Sequence, residues 1–102
     1  MNFVWTWGGI YFGYLEGENL WTCEGKHVGK LRREAIFGAD GRYLGELRNG
    51  NRLITQIGEQ TRSIPAFTPY TTRLPGTRYA SAACHPMPAG YEDFPSPESF
   101  GP

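Results

Sequence analysis

The amino-acid sequence predicts an all-β protein of four β-hairpin repeats, followed by an extended, proline-rich strap. Three observations carry this reading. The motif Gly-x-aromatic/His-apolar-Gly-x-Leu occurs three times, as GIYFGYL at residues 9–15, GKHVGKL at 25–31 and GRYLGEL at 41–47, each copy sixteen residues after the last. No twelve-residue stretch before residue 64 escapes a glycine, and each glycine costs a helix interior about 1 kcal/mol. All eight prolines lie in residues 65–102, whereas eleven of the fourteen glycines lie in residues 1–64, so the backbone grammar changes from turning to staying extended near Pro65.

The elements follow from the repeat. Gly9, Gly25 and Gly41 align, as do Gly13, Gly29 and Gly45, and Leu15, Leu31 and Leu47. Four residues before each first glycine stand Trp5, Trp21 and Phe37, preceded by Val4, Leu20 and Ile36. Each unit therefore reads as strand, glycine turn, strand, with turns at Gly8-Gly9, Glu24-Gly25 and Asp40-Gly41, of which Asp-Gly is the strongest hairpin signal. A degraded fourth unit, RLITQIGEQTRSI at residues 52–64, puts Leu53 sixteen residues after Phe37, with Gly58 and Ile64 one step late and Arg62 at the second glycine. Short polar links at residues 16–18, 32–34 and 48–51 suit successive hairpins, giving about eight strands of roughly four to six residues. Simple alternation puts Tyr11, His27 and Tyr43 on one face with the second glycines and the leucines, and Phe12, Val28 and Leu44 on the other. A glycine there leaves a hollow in which a ring or another strand can lie directly on the backbone.

Composition narrows the function classes. The chain has 102 residues, enough for one modest core, and ten basic residues cancel ten acidic ones, so no global field draws nucleic acid or anionic membrane. Two cysteines are too few for a disulfide framework. The apolar N-terminus lacks a positive leader region and is broken by Gly8, Gly9 and Gly13, and no stretch is long enough to span a membrane as a helix. A cytoplasmic protein without membrane association is the expectation.

The segment GYLEGENLWTCEGKHVGKLRREAIFGADGRYLGEL resembles the 4-fold β-flower proteins, a small bacterial family of hairpin repeats carrying G-x-x-[VIL]-G-x-[LF] and D-G-R-Y-[LIV]-G. The resemblance covers residues 4–64 and leaves 65–102 outside. It implies four hairpins arranged as petals about a pseudo-four-fold axis. It implies no activity, so no catalytic or binding residue follows from it, and Arg62 in place of a glycine departs from its pattern.

Chemistry is sparse. Cys23, His27, Cys84 and His85 could supply zinc ligands, but adjacent Cys84 and His85 fit the usual spacing poorly, and His27 stands in the aromatic series of Tyr11 and Tyr43. No metal and no cofactor is expected. Neither cysteine has the setting of a nucleophile, the carboxylates at Glu16, Glu18, Glu24 and Asp40 fall in turns or links, and no helix follows a glycine loop to cradle phosphate, so no enzyme is expected. Tyr11, His27 and Tyr43, with Arg42 and Arg48 and the nearby Arg32, Arg33 and Arg52, form the best candidate surface for a small ligand or a single-stranded nucleic acid. Interleaved glutamates weigh against nucleic acid, which is possible but not favoured, and aromatics at repeat-equivalent sites serve the core first.

The tail, residues 65–102, carries six aromatics, Phe67, Tyr70, Tyr79, Tyr91, Phe94 and Phe100, where ordinary linkers have few. These read as anchors of a strap held on its own domain, on a second copy or on another protein, with Tyr91, Phe94 and Phe100 the candidate partner-binding residues. Two parts are expected, a hairpin domain over 1–64 and a tail over 65–102. The expected role is a non-enzymatic interaction module that associates with itself, or with another protein through the tail.

Overall fold

A computed structural model describes residues 1–101; Pro102, the last residue of the expected tail, lies outside the described residues. Seven strands follow one another as a meander: β1 (Asn2–Thr6), β2 (Tyr11–Glu16), β3 (Asn19–Thr22), β4 (His27–Arg32), β5 (Ala35–Phe37), β6 (Tyr43–Arg48) and β7 (Arg52–Gln56). An eighth, β8 (Tyr91–Asp93), comes from the tail and adds antiparallel to β7. Two short 3-10 turns, Ile57–Glu59 and Pro97–Phe100, are the only helical pieces among the described residues, and neither is long and apolar enough to cross a membrane. The fold is all-β, as the repeat predicts.

The meander closes on itself because β1 also pairs with β7. In a meander of seven strands the first and last run in the same direction, so this pairing is parallel, with Trp5 opposite Arg52 and Thr6 opposite Leu53. The Trp5 and Trp7 amides donate to the Asn51 and Leu53 carbonyls at 2.9 Å each. Arg52 seals the seam from a buried position, its Nη1 donating to the carbonyls of Ala83 at 2.7 Å, Trp7 at 3.3 Å and Thr6 at 3.4 Å.

Each of the first three units repeats an irregularity that simple alternation misses. Val4 lies opposite Gly13 but Trp5 opposite Tyr11, and the same skip recurs between Leu20 and Trp21 and between Ile36 and Phe37. Phe12, Val28 and Leu44 are therefore the extra residues of β-bulges, which turn them inward. Phe12 joins Leu15 in the core, while Tyr11, His27 and Tyr43 turn to the outside, away from the leucines whose face they were expected to share. The second glycine of each unit meets the neighbouring strand edge-on: a Cβ at Gly13, Gly29 or Gly45 would lie against the carbonyl of Trp21, Phe37 or Ile54.

The fourth unit is built from two distant pieces. Its inserted residue lies in the link at 49–51, not after Leu53, so Leu53 is the equivalent of Val4, Leu20 and Ile36 instead of Phe37. All four are fully buried and form one layer of the barrel interior. The second strand expected within residues 58–64 does not form; the chain turns outward after Ile57–Glu59, and β8 takes its place. The register Trp5–Tyr11, Trp21–His27, Phe37–Tyr43 and Ile54–Asp93 makes Asp93 the fourth member of the Tyr11 series and Phe94 the fourth member of the Phe12 series. Phe94 is buried against Phe12, ring centroids 5.3 Å apart, with Phe100 beside it at 5.9 Å from Phe12. The axis is filled by apolar side chains.

Between leaving the fourth unit and returning to it, the tail binds the outside of the barrel in equal steps. Ile64, Arg73 and Ala82 donate their amides to the carbonyls of Gly41, Gly25 and Gly9 at 2.7–2.9 Å. Three residues later Phe67, Gly76 and His85 donate to Ala39, Cys23 and Trp7 at 2.9, 2.9 and 3.2 Å. Nine residues after Ala82, Tyr91 lies opposite Gln56 in β8. The strap advances nine residues while the barrel retreats by one unit.

Phe94→Ala should lower the unfolding free energy by about 3–5 kcal/mol, because it removes a whole ring from a filled layer, as read by urea denaturation. Gly25 has φ +89° and its missing Cβ faces the Arg73 carbonyl, whereas Gly17 has φ +60° and open space around it. Both alanine variants should lose about 1–2 kcal/mol from the backbone alone, and Gly25→Ala alone should also speed hydrogen exchange at the Arg73 amide.

Candidate functional site

The aromatic series lies beneath the strap. Tyr11 is 3 %, His27 2 % and Tyr43 6 % exposed, each at the start of a second strand and each pointing out of the barrel because of the bulge that follows it. Glycine turns set up these positions. Gly9, Gly25 and Gly41 all have positive φ and donate back to the residue three positions earlier at 2.9 Å, and Thr6 and Thr22 hydroxyls accept the Ile10 and Lys26 amides at 3.2 Å. At the third turn, where Gly38 has no hydroxyl, Asp40 accepts the Arg42 amide at 3.0 Å instead.

His27 makes the most complete site. Its Nδ1 accepts the Tyr70 amide at 3.0 Å, which leaves Nε2 to carry the proton and donate to the Gly29 carbonyl at 3.0 Å. The ring is stacked against both Trp21 and Tyr70, each at 5.1 Å, with Phe67 tilted at 5.5 Å and the Lys30 ammonium over Phe67. Burial holds the imidazole below its ordinary value; the Gly29 hydrogen bond opposes this, and the Lys30 and Arg73 charges add to it. With both nitrogens engaged, the neutral ring serves as an acceptor for the strap backbone.

Tyr11 sits edge-on to Trp5 at 5.4 Å and to Tyr79 at 5.3 Å. Burial pushes its phenol up to about 12, with smaller contributions from Cys23, Tyr79 and Tyr14. Tyr43 has its hydroxyl bonded, accepting from the Gln56 amide at 3.1 Å and donating to Glu46 Oε2 at 3.4 Å, and burial raises its phenol as well. Arg62, the residue in place of a glycine, lies over the rings of Tyr43 and Phe37 at 5.8 and 5.6 Å. Asp93, the fourth member, accepts the Gly8 amide at 3.1 Å.

The other candidates scatter. Arg42 is exposed beside Asp40 at 3.8 Å, and Arg32 pairs with Glu18 at 2.6 Å. Arg48 pairs with Glu46 at 2.7 Å and lies over the Tyr91 ring at 4.5 Å, with a hydrogen bond to the Tyr91 hydroxyl, so one ligand candidate and one partner candidate meet on the protein itself. Arg52 is consumed in the seam. The strap covers the Tyr11 and His27 rings, and Arg62 and Ile64 cover Tyr43, whereas an aromatic platform for nucleic acid would have to offer these rings openly. Phe94 and Phe100 pack against the core, and Lys26 Nζ donates to the Phe100 carbonyl.

Cys23 is buried and burial raises its thiol, while Cys84 is exposed and its thiol donates to the carbonyl of His85 at 3.8 Å. His85 lies against Trp7 at 5.1 Å. The four possible zinc ligands are not brought together; among the described residues no group of three His, Cys, Asp or Glu side chains could hold an ion.

The strap's nine-residue period was the signal to find. Ser63, Thr72 and Ser81 recur at it, as do Tyr70 and Tyr79, but the amides that dock belong to Ile64, Arg73 and Ala82, which share no chemistry.

Fold and site define a small pseudo-symmetric β-barrel bound by its own C-terminal strap. The chain belongs to the 4-fold beta flower protein family, whose model matches residues 1–92 and so continues past Ile64 through most of the tail. That description names a fold and no activity. No curated protein and no solved structure matches the chain significantly.

Because the docked state holds His27 neutral, its stabilisation is fully present above the free value of about 6.5 and is lost as pH falls through the lower folded value. Hydrogen exchange at the Tyr70 amide, corrected for intrinsic rate, should therefore accelerate on going from pH 7 to pH 5. The acceleration should vanish in His27→Tyr, which restores the aromatic of the repeat.

Proposed function

We propose that the protein is a non-enzymatic interaction module whose barrel body, residues 1–64, is wrapped by its strap, residues 65–102, and that copies associate through the outer face of that strap. The observation that carries this reading is the division of the strap into two sides. Its backbone is committed inward at regular steps and Tyr70 and Tyr79 lay their rings on the barrel, while Leu74 is 90 % exposed and Met87, further along the same segment, is exposed as well. Side chains of that size held outward on a fixed backbone suit a protein surface, since ordering costs have been met before association. Zero net charge leaves self-association unopposed by long-range repulsion.

Light scattering between micromolar and millimolar concentration should show a mass above one chain for the full protein. Leu74→Asp, at a side chain with nothing to lose in the fold, should return it toward a single chain with its thermal midpoint unchanged. A full-length protein that stays monomeric across that range would remove this reading.

A further inference from the structure

The three equivalent clefts under the strap are filled to different degrees, and the difference traces to one residue. At each step the third residue after the glycine contact donates its amide to the turn, and these are Phe67, Gly76 and His85. Phe67 drops its ring beside His27, centroids 5.5 Å apart, and His85 lies against Trp7 at 5.1 Å. Gly76 has no side chain to place beside Tyr11, the residue equivalent to His27. A Cβ built there meets no atom within 4 Å. What remains is a cleft of about 230 Å³, floored by Tyr11, Tyr14 and Cys23 and open to solvent between Met1, Phe3 and Tyr79 on one side and Gly76 and Thr77 on the other.

We propose that this cleft binds a small aromatic molecule carrying one hydrogen-bond acceptor, seated where the neighbouring step places Phe67. Size selects the class. Drug-sized or cofactor ligands need about 300 Å³ or more, so a cleft of this volume takes one substituted ring. Geometry selects the ring. Tyr79 is tilted on Phe3 at 4.8 Å and edge-on to Tyr11 at 5.3 Å, leaving aromatic faces and edges turned to the space. Chemistry selects the acceptor. The Tyr11 ring is buried, but its hydroxyl is open to the cleft and makes no hydrogen bond within the protein among the described residues, unlike that of Tyr43, which makes two. A hydroxyl open to the cleft and uncommitted to the protein is free to donate to an acceptor on the ligand.

The probe is p-cresol, titrated into the full chain and followed by amide chemical shifts, with toluene as the isostere lacking the polar group. Saturable shifts are expected at Phe3, Tyr11, Gly76, Thr77 and Tyr79, with p-cresol binding several-fold tighter than toluene. Tyr11→Phe should erase that preference while leaving toluene binding in place. Gly76→Phe supplies the missing ring from the chain itself and should weaken p-cresol at least tenfold while keeping or raising the thermal midpoint; Gly76→Leu makes the same test should the Phe variant not fold. Absence of saturable shifts at these amides in the native chain, or unchanged affinity when residue 76 is filled, overturns the proposal. So does a shift pattern at the same amides that follows protein concentration and not p-cresol, which would assign the space to a side chain of a second copy.

Discussion

The structure depends on a backbone contact that only glycine permits. At Gly9, Gly25 and Gly41 the chain adopts positive φ, and the carbonyl of Ala82, Arg73 or Ile64 rests where a Cβ would stand. The same three glycines return the contact by accepting the strap amides, so each step is a reciprocal pairing of main chain with main chain. Such a pairing takes no account of side-chain identity. The strap can therefore follow a periodic surface while its own sequence varies, and every aromatic position beneath it becomes an interior position although it faces away from the core.

The closure of the barrel depends on the same path. Seven strands of a meander end in a parallel seam two pairs long, a weak join by itself. Arg52 reinforces it by reaching both the first turn and the strap at Ala83, so the seam and the strap share one buried guanidinium. Beyond the seam β7 would be left with a bare edge at Ile54–Gln56; β8 covers it and delivers Phe94 to the interior layer begun by Phe12, Val28 and Leu44. The four-fold pattern is thus completed by a segment about thirty residues away from where the repeat breaks off.

Much of this was legible in the sequence, and the exceptions share a cause. Glycine spacing revealed the units, the turns and the role of Gly13, Gly29 and Gly45 in close approach, because a missing side chain leaves a mark wherever backbones must touch. The bulges left no such mark: Phe12 and Tyr11 are both aromatic, and strict alternation assigned them to faces in the wrong order. The inserted residue fell in a polar link, where nothing apolar recorded the shift, so Leu53 was matched one place off. The fourth unit's second strand was expected locally because repeats normally close locally, yet residues 60–64 lack the apolar residue before Arg62 that a bulge would turn inward. As for the site, Tyr11, His27 and Tyr43 were recognisable as a series, but that they receive the strap could not be read, since the strap docks by amides and not by side chains.

Where the backbone is this regular, differences among equivalent positions carry the information. The unit at His27 is filled: two stacked rings, a third from Phe67, and both imidazole nitrogens bonded, with the Trp21 indole N–H its one buried donor left unpaired among the described residues. The unit at Tyr43 is closed by polar groups, with Arg62 over the ring and its hydroxyl held between Gln56 and Glu46. The fourth position, Asp93, is tied to the Gly8 amide. Tyr11 alone keeps an unengaged hydroxyl and an unfilled neighbour at Gly76. A scaffold that solves the same packing problem at the other positions and leaves one incomplete shows there, by comparison with its own repeats, the volume of a missing ring.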